Sequence, residues 1–286
     1  MIAIEIGQRH YLLYLLLPHP AKTALLTEDS RRRLDRINRA ANEAIYSGDA
    51  AAAYDARHRY EEDEQHEYPA RALVEKTWAP EGYGRALEVG AGTGYFTALA
   101  ARRARSVLAV EPVPDMQKVL RARCDALGLT NVVVVPDLTD ALSAADAAFD
   151  SVLLVQSLHH LHRRPALLEA LGRAVRPGGR LYMVEPHHNV RRAARLLRHY
   201  LLTYRAPAFR ADERNWATHD FVTRGELRAL CRRGGFEDVR IGGYWIPLVR
   251  RRVRDPIARF RLETRLGRVP VLRHLTGVLA LEARRR

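Results

Sequence analysis

Residues 86 to 97 read ALEVGAGTGYFT. Glycines stand at every second position, Gly90, Gly92 and Gly94, and Glu88 lies two residues before the first. The preceding RALEV (85–89) is short and mostly apolar, as a buried strand is. The following YFTALAARRA has helical texture. Strand, glycine turn and helix together open a βα unit, and glycines at such a turn let the backbone approach a ligand closely. The spacing departs from the dinucleotide fingerprint G-x-G-x-x-G, because the third glycine comes one residue early and Tyr95 follows it. No lysine follows as in a Walker loop, and there is no G-x-S-x-G nucleophile turn.

The same texture continues outward. SVLAVE (106–111), NVVVVPD (131–137), DSVLLVQS (150–157) and PGGRLYMVEP (177–186) predict strands, with helices over 114–127 and PALLEALGRAV between them. Runs such as VVVV and SVLLV are apolar throughout, as parallel strands covered on both faces are. FEDVRIGGYWIPLV and GVLALEARRR add two later strands. The expectation is a Rossmann-like, doubly wound, mostly parallel seven-stranded sheet with helices on both faces. Residues 1–80 form a helical N-terminal lead-in, with one helix from Glu28 to Ile45 and another from about Tyr54 to Trp78. Residues 81–286 form the sheet domain. Two basic helical inserts, at about 187–220 and 250–268, cap one end of it.

E-x-G-x-G-x-G after a first strand resembles motif one of the class I S-adenosylmethionine-dependent methyltransferases, and other positions agree. Glu111 ends strand two, PDL ends strand three, FDSVLLVQSLHHL resembles the family's fourth-strand segment, and LGRAVRPGGRLYMVEP resembles its fifth. Together they look like the methyltransferase type 11 branch. The resemblance implies S-adenosylmethionine as methyl donor and S-adenosylhomocysteine as product. It places Glu88, Gly90, Ala91, Gly92 and Gly94 near the methionine end. It gives Glu111, beside Pro112, the ribose hydroxyls, and it packs Met116 near the nucleoside. It sets Asp137 and Leu138 on the adenine and Gln156 at the end of strand four. For Glu88 the residues leave two readings open, a negative site for the donor's cationic end or a carboxylate shaping its own loop.

Methyl transfer is an in-line displacement, so the protein's main work is positioning. A base is needed only where the acceptor must lose a proton. SLHHLH and VEPHH put His160, His159 and His187 at the ligand end of the sheet as catalytic candidates, with His160 matching the family's position. His162 reads as a surface residue. Glu185 is expected to face the acceptor. Tyr54, Tyr60, Trp216 and His219 lie in segments that cap the site in relatives. Adjacent histidines point to different faces and no carboxylate completes a known spacing, so no metal is predicted.

The formal net charge is +14. Residues 187–286 carry 24 arginines, no lysine and 9 acids, a balance of +15. The basic character belongs to the last third, where Leu196, Leu197, Tyr200 and Leu201 lie among arginines. That pattern fits a small anionic or lipid-linked acceptor, with peripheral contact to an anionic membrane, ahead of RNA. A donor-binding assembly partner without catalysis is the third possibility. The alanine-rich 40–53 stretch suggests a homodimer face. Two cysteines make no disulfide framework. The apolar run Tyr11 to Leu17 is too short to span a bilayer, and the expectation is a cytoplasmic protein.

Overall fold

The computed structural model describes residues 16–54, 56, 68–143, 148–203 and 220–286. The lead-in consists of α1 (His19–Leu25), α2 (Glu28–Tyr46), α3 (Asp49–Ala52) and α4 (Tyr68–Ala72), which runs into a π turn at Leu73–Thr77. The sheet domain follows with β1 (Gly84–Val89), α5 (Tyr95–Ala101), β2 (Ala104–Val110), α6 (Pro114–Ala126), β3 (Val132–Val135), α7 (Leu138–Ser143) and β4 (Phe149–Val155). Then come α8 (Arg164–Ala174), β5 (Val175–Pro186), α9 (Val190–Thr203), α10 (Arg224–Arg233) and β6 (Phe236–Tyr244). The chain closes with α11 (Pro247–Arg252), α12 (Pro256–Leu266) and β7 (Val278–Arg285).

The seven strands lie in the order β3-β2-β1-β4-β5-β7-β6. All neighbours are parallel except β5–β7 and β6–β7. The expected doubly wound sheet is therefore present, and the antiparallel β7 wedges between β5 and β6. Chain order reverses between β1 and β4. In open α/β sheets the crevice beyond the carboxyl ends of the strands at such a point is where ligands bind.

One face of the sheet buries Val74, Trp78, Tyr83, Phe96, Leu99 and Leu120, and the other buries Leu168, Leu171, Leu227, Leu230 and Phe236. Each fully buried leucine contributes about 1.5–3 kcal/mol. Helix α5 ends at Ala101, short of the expected Ala104, because Arg103 is recruited elsewhere. Its carbonyl accepts the Tyr83 N–H at 2.9 Å, and its Nη1 reaches the carbonyls of Val74, Glu75 and Trp78 at 3.0, 3.0 and 2.9 Å. One side chain thus gathers the carbonyls where the lead-in ends, the Val74 carbonyl also accepting the Tyr83 hydroxyl at 2.7 Å. Thr223 opens α10 in a capping box with Glu226.

The lead-in also docks through α1. His19 and Lys22, both buried, converge on the carboxylate of Asp220. That carboxyl is held well below its usual range, because the bonds from His19 and the cations Lys22 and Arg164 outweigh its burial. Of the alanine-rich stretch, Ala51 packs on Val113 and Met116, so this part of the proposed dimer face is used within the chain.

Candidate active site

The segment from Gly90 to Gly94 folds back over β2. The N–H groups of Gly90 and Ala91 both donate to the Val110 carbonyl, at 2.9 and 3.0 Å. All three glycines have positive φ, 77°, 56° and 79°. A Cβ at Gly90 would stand 2.6 Å from Ser157 Cβ, and one at Gly94 would stand 2.7 Å from Leu120 Cγ. These two positions are bare so that the loop can lie between the segment after β4 and helix α6. A Cβ at Gly92 would meet nothing within 4 Å. That glycine faces open space in the cleft.

Glu88 and Glu111 stand on either side of this loop. Glu111 ends β2 and spends both carboxylate oxygens on backbone, Oε2 accepting from Gly92 at 2.8 Å and Oε1 from Val113 at 2.9 Å. It therefore fixes the glycine loop. Burial raises its pKa against those two bonds. Glu88 is 2% exposed, and burial pushes its carboxyl up to about 7, with Thr97 pulling the other way and Glu111 adding to the rise. Its Oε2 has no hydrogen-bond partner among the described residues. A buried acid with an unused oxygen suits a cationic group, which a donor carrying an ammonium and a sulfonium supplies.

Of the remaining donor candidates, Gln156 lines the cleft over the glycine loop, whereas Pro112, Met116, Asp137 and Leu138 are not among the residues that line it. Met116, 2% exposed, sits in a cluster with Ala51 and Val113. Asp137 is exposed at the end of β3, and its carboxylate accepts the Thr139 N–H at 2.6 Å, which lowers its pKa. Leu138 begins α7 and is half-buried, and Pro112 is exposed. Gln156 holds a left-handed φ of 56° at the end of β4, its N–H donating to Val184 O at 2.7 Å. A non-glycine residue in that region costs about 1–2 kcal/mol, and such outliers cluster at ligand sites. Tyr54, Glu88, Ala91, Gly92, Phe96 and Gln156 are among the residues that line a cleft of about 40 Å³ over the loop.

Two acceptor-side expectations are corrected. Glu185 does not face an acceptor. It is fully buried and accepts the N–H groups of Ser157, Leu158 and His159 at 3.0, 2.6 and 3.2 Å. The His159 ring Nδ1 adds a fourth contact at 2.8 Å. Burial pushes the Glu185 carboxyl up to about 7 despite these bonds. It anchors the short turn Leu158–His160, in place of binding substrate. His187 is likewise buried, with Nδ1 against the Thr276 carbonyl at 2.8 Å, and burial lowers its pKa to about 4. It faces β7's approach segment and stays neutral. His162, read as a surface residue, instead stacks on His19 with centroids 5.9 Å apart, and burial lowers its pKa to about 4.

His160 is half-buried on the turn that Glu185 anchors. Its ring meets Tyr46 edge-on at 5.8 Å, and Tyr46 meets Tyr54 at 5.7 Å. His159 lies behind it, ring centroids 4.1 Å apart, locked to Glu185. Tyr60, Trp216 and His219 lie outside the described residues. Tyr46 escaped the sequence reading, as did Thr93, Phe96 and Val155 around the cleft. Tyr46 carries no motif; it is the last residue of an amphipathic helix, and only the tertiary fold brings it to His160. Lys22 was equally silent, since its partner is 198 residues away.

Against known proteins, residues 60–241 match the family model described as a methyltransferase domain. That span is well over half of the chain and includes the glycine loop, both acids and the turn after β4. The chain belongs to the methyltransferase domain family. The methyltransferase is 36% identical over 118 residues to an uncharacterised methyltransferase of Mycobacterium tuberculosis, covering 41% of this chain and 45% of that protein. It is 29% identical over 160 residues to a ubiquinone biosynthesis O-methyltransferase of Xylella fastidiosa, covering 54% of this chain and 62% of that one. The match thus spans roughly half the length of these relatives. Among solved structures, a phosphoethanolamine N-methyltransferase of Haemonchus contortus in complex with S-adenosyl-L-methionine superposes with a TM-score of 0.59 at 16% identity, over 87% of this chain and 60% of that one. The methyltransferase shares the class I S-adenosylmethionine-dependent fold with it. Among the described residues, no helix is long and apolar enough to cross a membrane.

Proposed function

We propose that the protein moves a methyl group from S-adenosylmethionine to a hydroxyl or amine of a small molecule held between the glycine loop and the lead-in helices. The observation that supports this most is the roof. Tyr54 lines the cleft over the glycine loop, Tyr46 packs on it edge-on, and His160 meets Tyr46 from the turn after β4. An aromatic wall folded over the cleft suits a compact acceptor better than a polymer threaded past it. The curated relatives with named activities point the same way, being a ubiquinone biosynthesis O-methyltransferase and a demethylmenaquinone methyltransferase.

When bound, S-adenosylmethionine supplies a methyl already activated on a sulfonium. The chain's own residues do the rest. Glu88 holds the cationic end, Glu111 the ribose, Asp137 and Leu138 the adenine edge, and Met116 packs under the nucleoside. Tyr46 and Tyr54 exclude water and orient the acceptor, and positioning of this kind is worth several kcal/mol, up to about 7–11 in the best models. Where the acceptor is a hydroxyl, His160 takes its proton. Glu185 and His159 act through His160 by fixing the turn that carries it.

The test is to incubate the purified protein with methyl-labelled donor and a fractionated extract of its host. Label in the small-molecule or organic fraction supports the reading. Label in nuclease-sensitive material overturns it and assigns the arginine-rich last third to RNA. His160→Ala that retains full turnover with both substrates saturating removes His160 as the base.

A further inference from the structure

Helix α9 leaves β5 and carries VRRAARLLRHYLLT. Val190, Leu197 and Leu201 fall within about 20° of one line along it, given 100° per residue. All three face solvent, at 64%, 44% and 66% exposure. The helix does not waste its other faces. Arg192 lies over the Phe221 ring, and Ala193 and Leu196 are half-buried on that inner side. Arg191 and Arg198, both exposed, project about 80–100° to the other side of the apolar line, with Arg195 beyond them. The exposed stripe is therefore an aliphatic ridge with an arginine flank.

A second segment is bonded to the start of this helix. Asn189 Nδ2 donates to the Thr276 carbonyl at 2.6 Å, and Arg191 Nη1 to the Leu275 carbonyl at 3.0 Å. These bonds tie the start of α9 to the chain between α12 and β7. That chain holds out Val271 at 74% exposure and Val269 at 42%, next to the exposed Arg268. Residues 187–203 and 264–276 together contain seven arginines and no acid.

We infer that this face, α9 with the Val269–Arg273 segment, docks on the surface of an anionic lipid bilayer. Charge alone would suit any polyanion. The aliphatic ridge separates the possibilities, because single-stranded RNA is held by aromatic stacking and arginines, and exposed leucine and valine add nothing to it. At a bilayer the same side chains enter the headgroup boundary while the arginines meet anionic heads. The inference is independent of which acceptor is methylated.

The test uses the full chain with phosphatidylcholine vesicles, with and without phosphatidylglycerol, in a sedimentation assay. Binding is expected with phosphatidylglycerol and not without it, and it weakens at high salt. Leu197→Asp with Leu201→Asp is expected to cost more than tenfold in vesicle affinity. Arg195→Ser and Arg198→Ser are expected to cost about fivefold each. None of these side chains lines the cleft over the glycine loop, so S-adenosylhomocysteine affinity stays unchanged in both variants and reports that they fold. No binding to the anionic vesicles overturns the inference. So does a leucine variant that folds and sediments like the parent, or one that keeps full affinity for polyuridylate while the parent ignores vesicles. Should the leucine pair fail to fold, the lipid contrast of the parent and the arginine pair still decide.

Discussion

Glu88→Gln separates stability from donor binding, because the two should move in opposite directions. The Glu88 carboxyl is driven from an ordinary 4.5 up to about 7 by complete burial. An acid whose pKa is raised in the fold contributes nothing below about pH 4.5, where it is protonated in both states. As pH rises from there towards 7 the unfolded chain releases the proton and the folded one does not, so folding loses free energy, and above 7 the loss is constant. The gap between 4.5 and about 7 corresponds to a penalty of about 3 kcal/mol. Glutamine has no such penalty. The variant without ligand should therefore melt higher than the parent near pH 8 and equal to it near pH 4. The upper bound of the rise is about 6–12 °C, reduced by whatever hydrogen bonding the new amide lacks. Donor affinity should fall instead, by about 10- to 100-fold, the worth of a hydrogen bond between charged groups. Differential scanning fluorimetry at the two pH values and calorimetric titration of S-adenosylhomocysteine measure both. A variant that melts lower at pH 8 and binds as tightly as the parent would refute the reasoning, and would mean that Glu88 shapes its own loop.

Other outcomes follow from the same geometry. Glu185→Gln should behave oppositely to Glu88→Gln despite a similar upward shift, because three of its four contacts are backbone N–H donors and an amide nitrogen would repel them; a loss of about 2–4 kcal/mol in urea unfolding is expected. Gly94→Ala places a Cβ 2.7 Å from Leu120 in a left-handed conformation and should destabilise by about 3 kcal/mol, whereas Gly92→Ala, facing open space, should cost only about 1–2 kcal/mol while abolishing donor binding. Asp220→Asn leaves Lys22 buried beside Arg164 without its counter-charge and should loosen α1, seen as faster proteolysis around residues 18–27 under native conditions.

The sheet was legible because its signals are local. VVVV, SVLLV and the glycine turn each declare a strand or its end within a few residues, and the parallel core follows from apolar runs that do not alternate. The positions of Glu88, Glu111 and Asp137 at strand ends were legible for the same reason, while the donor roles proposed for them rest on the family resemblance. What failed was burial of polar groups. Glu185 is the second-last residue of β5, and His187 and His162 follow strands in polar stretches, so all three look exposed. Whether a carboxylate at a strand end meets substrate or its own backbone depends on how the next loop turns, and SLHH turns back onto Glu185. Tyr46 and Lys22 were illegible because their meaning lies in partners more than 100 residues away.

The docking of α1 onto Asp220 has a consequence for how the protein is made. His19 and Lys22 leave the ribosome early, yet their partner follows some 200 residues later. At roughly 5–20 residues per second that is a wait of about 10–40 s. During it the nascent lead-in has nothing to bury its amine and imidazole against. The glycine loop and the strands of the donor crevice emerge inside that interval. The strands that flank the glycine loop are thus made well before α1 can be fastened, so α1 is among the last parts of the fold to be secured.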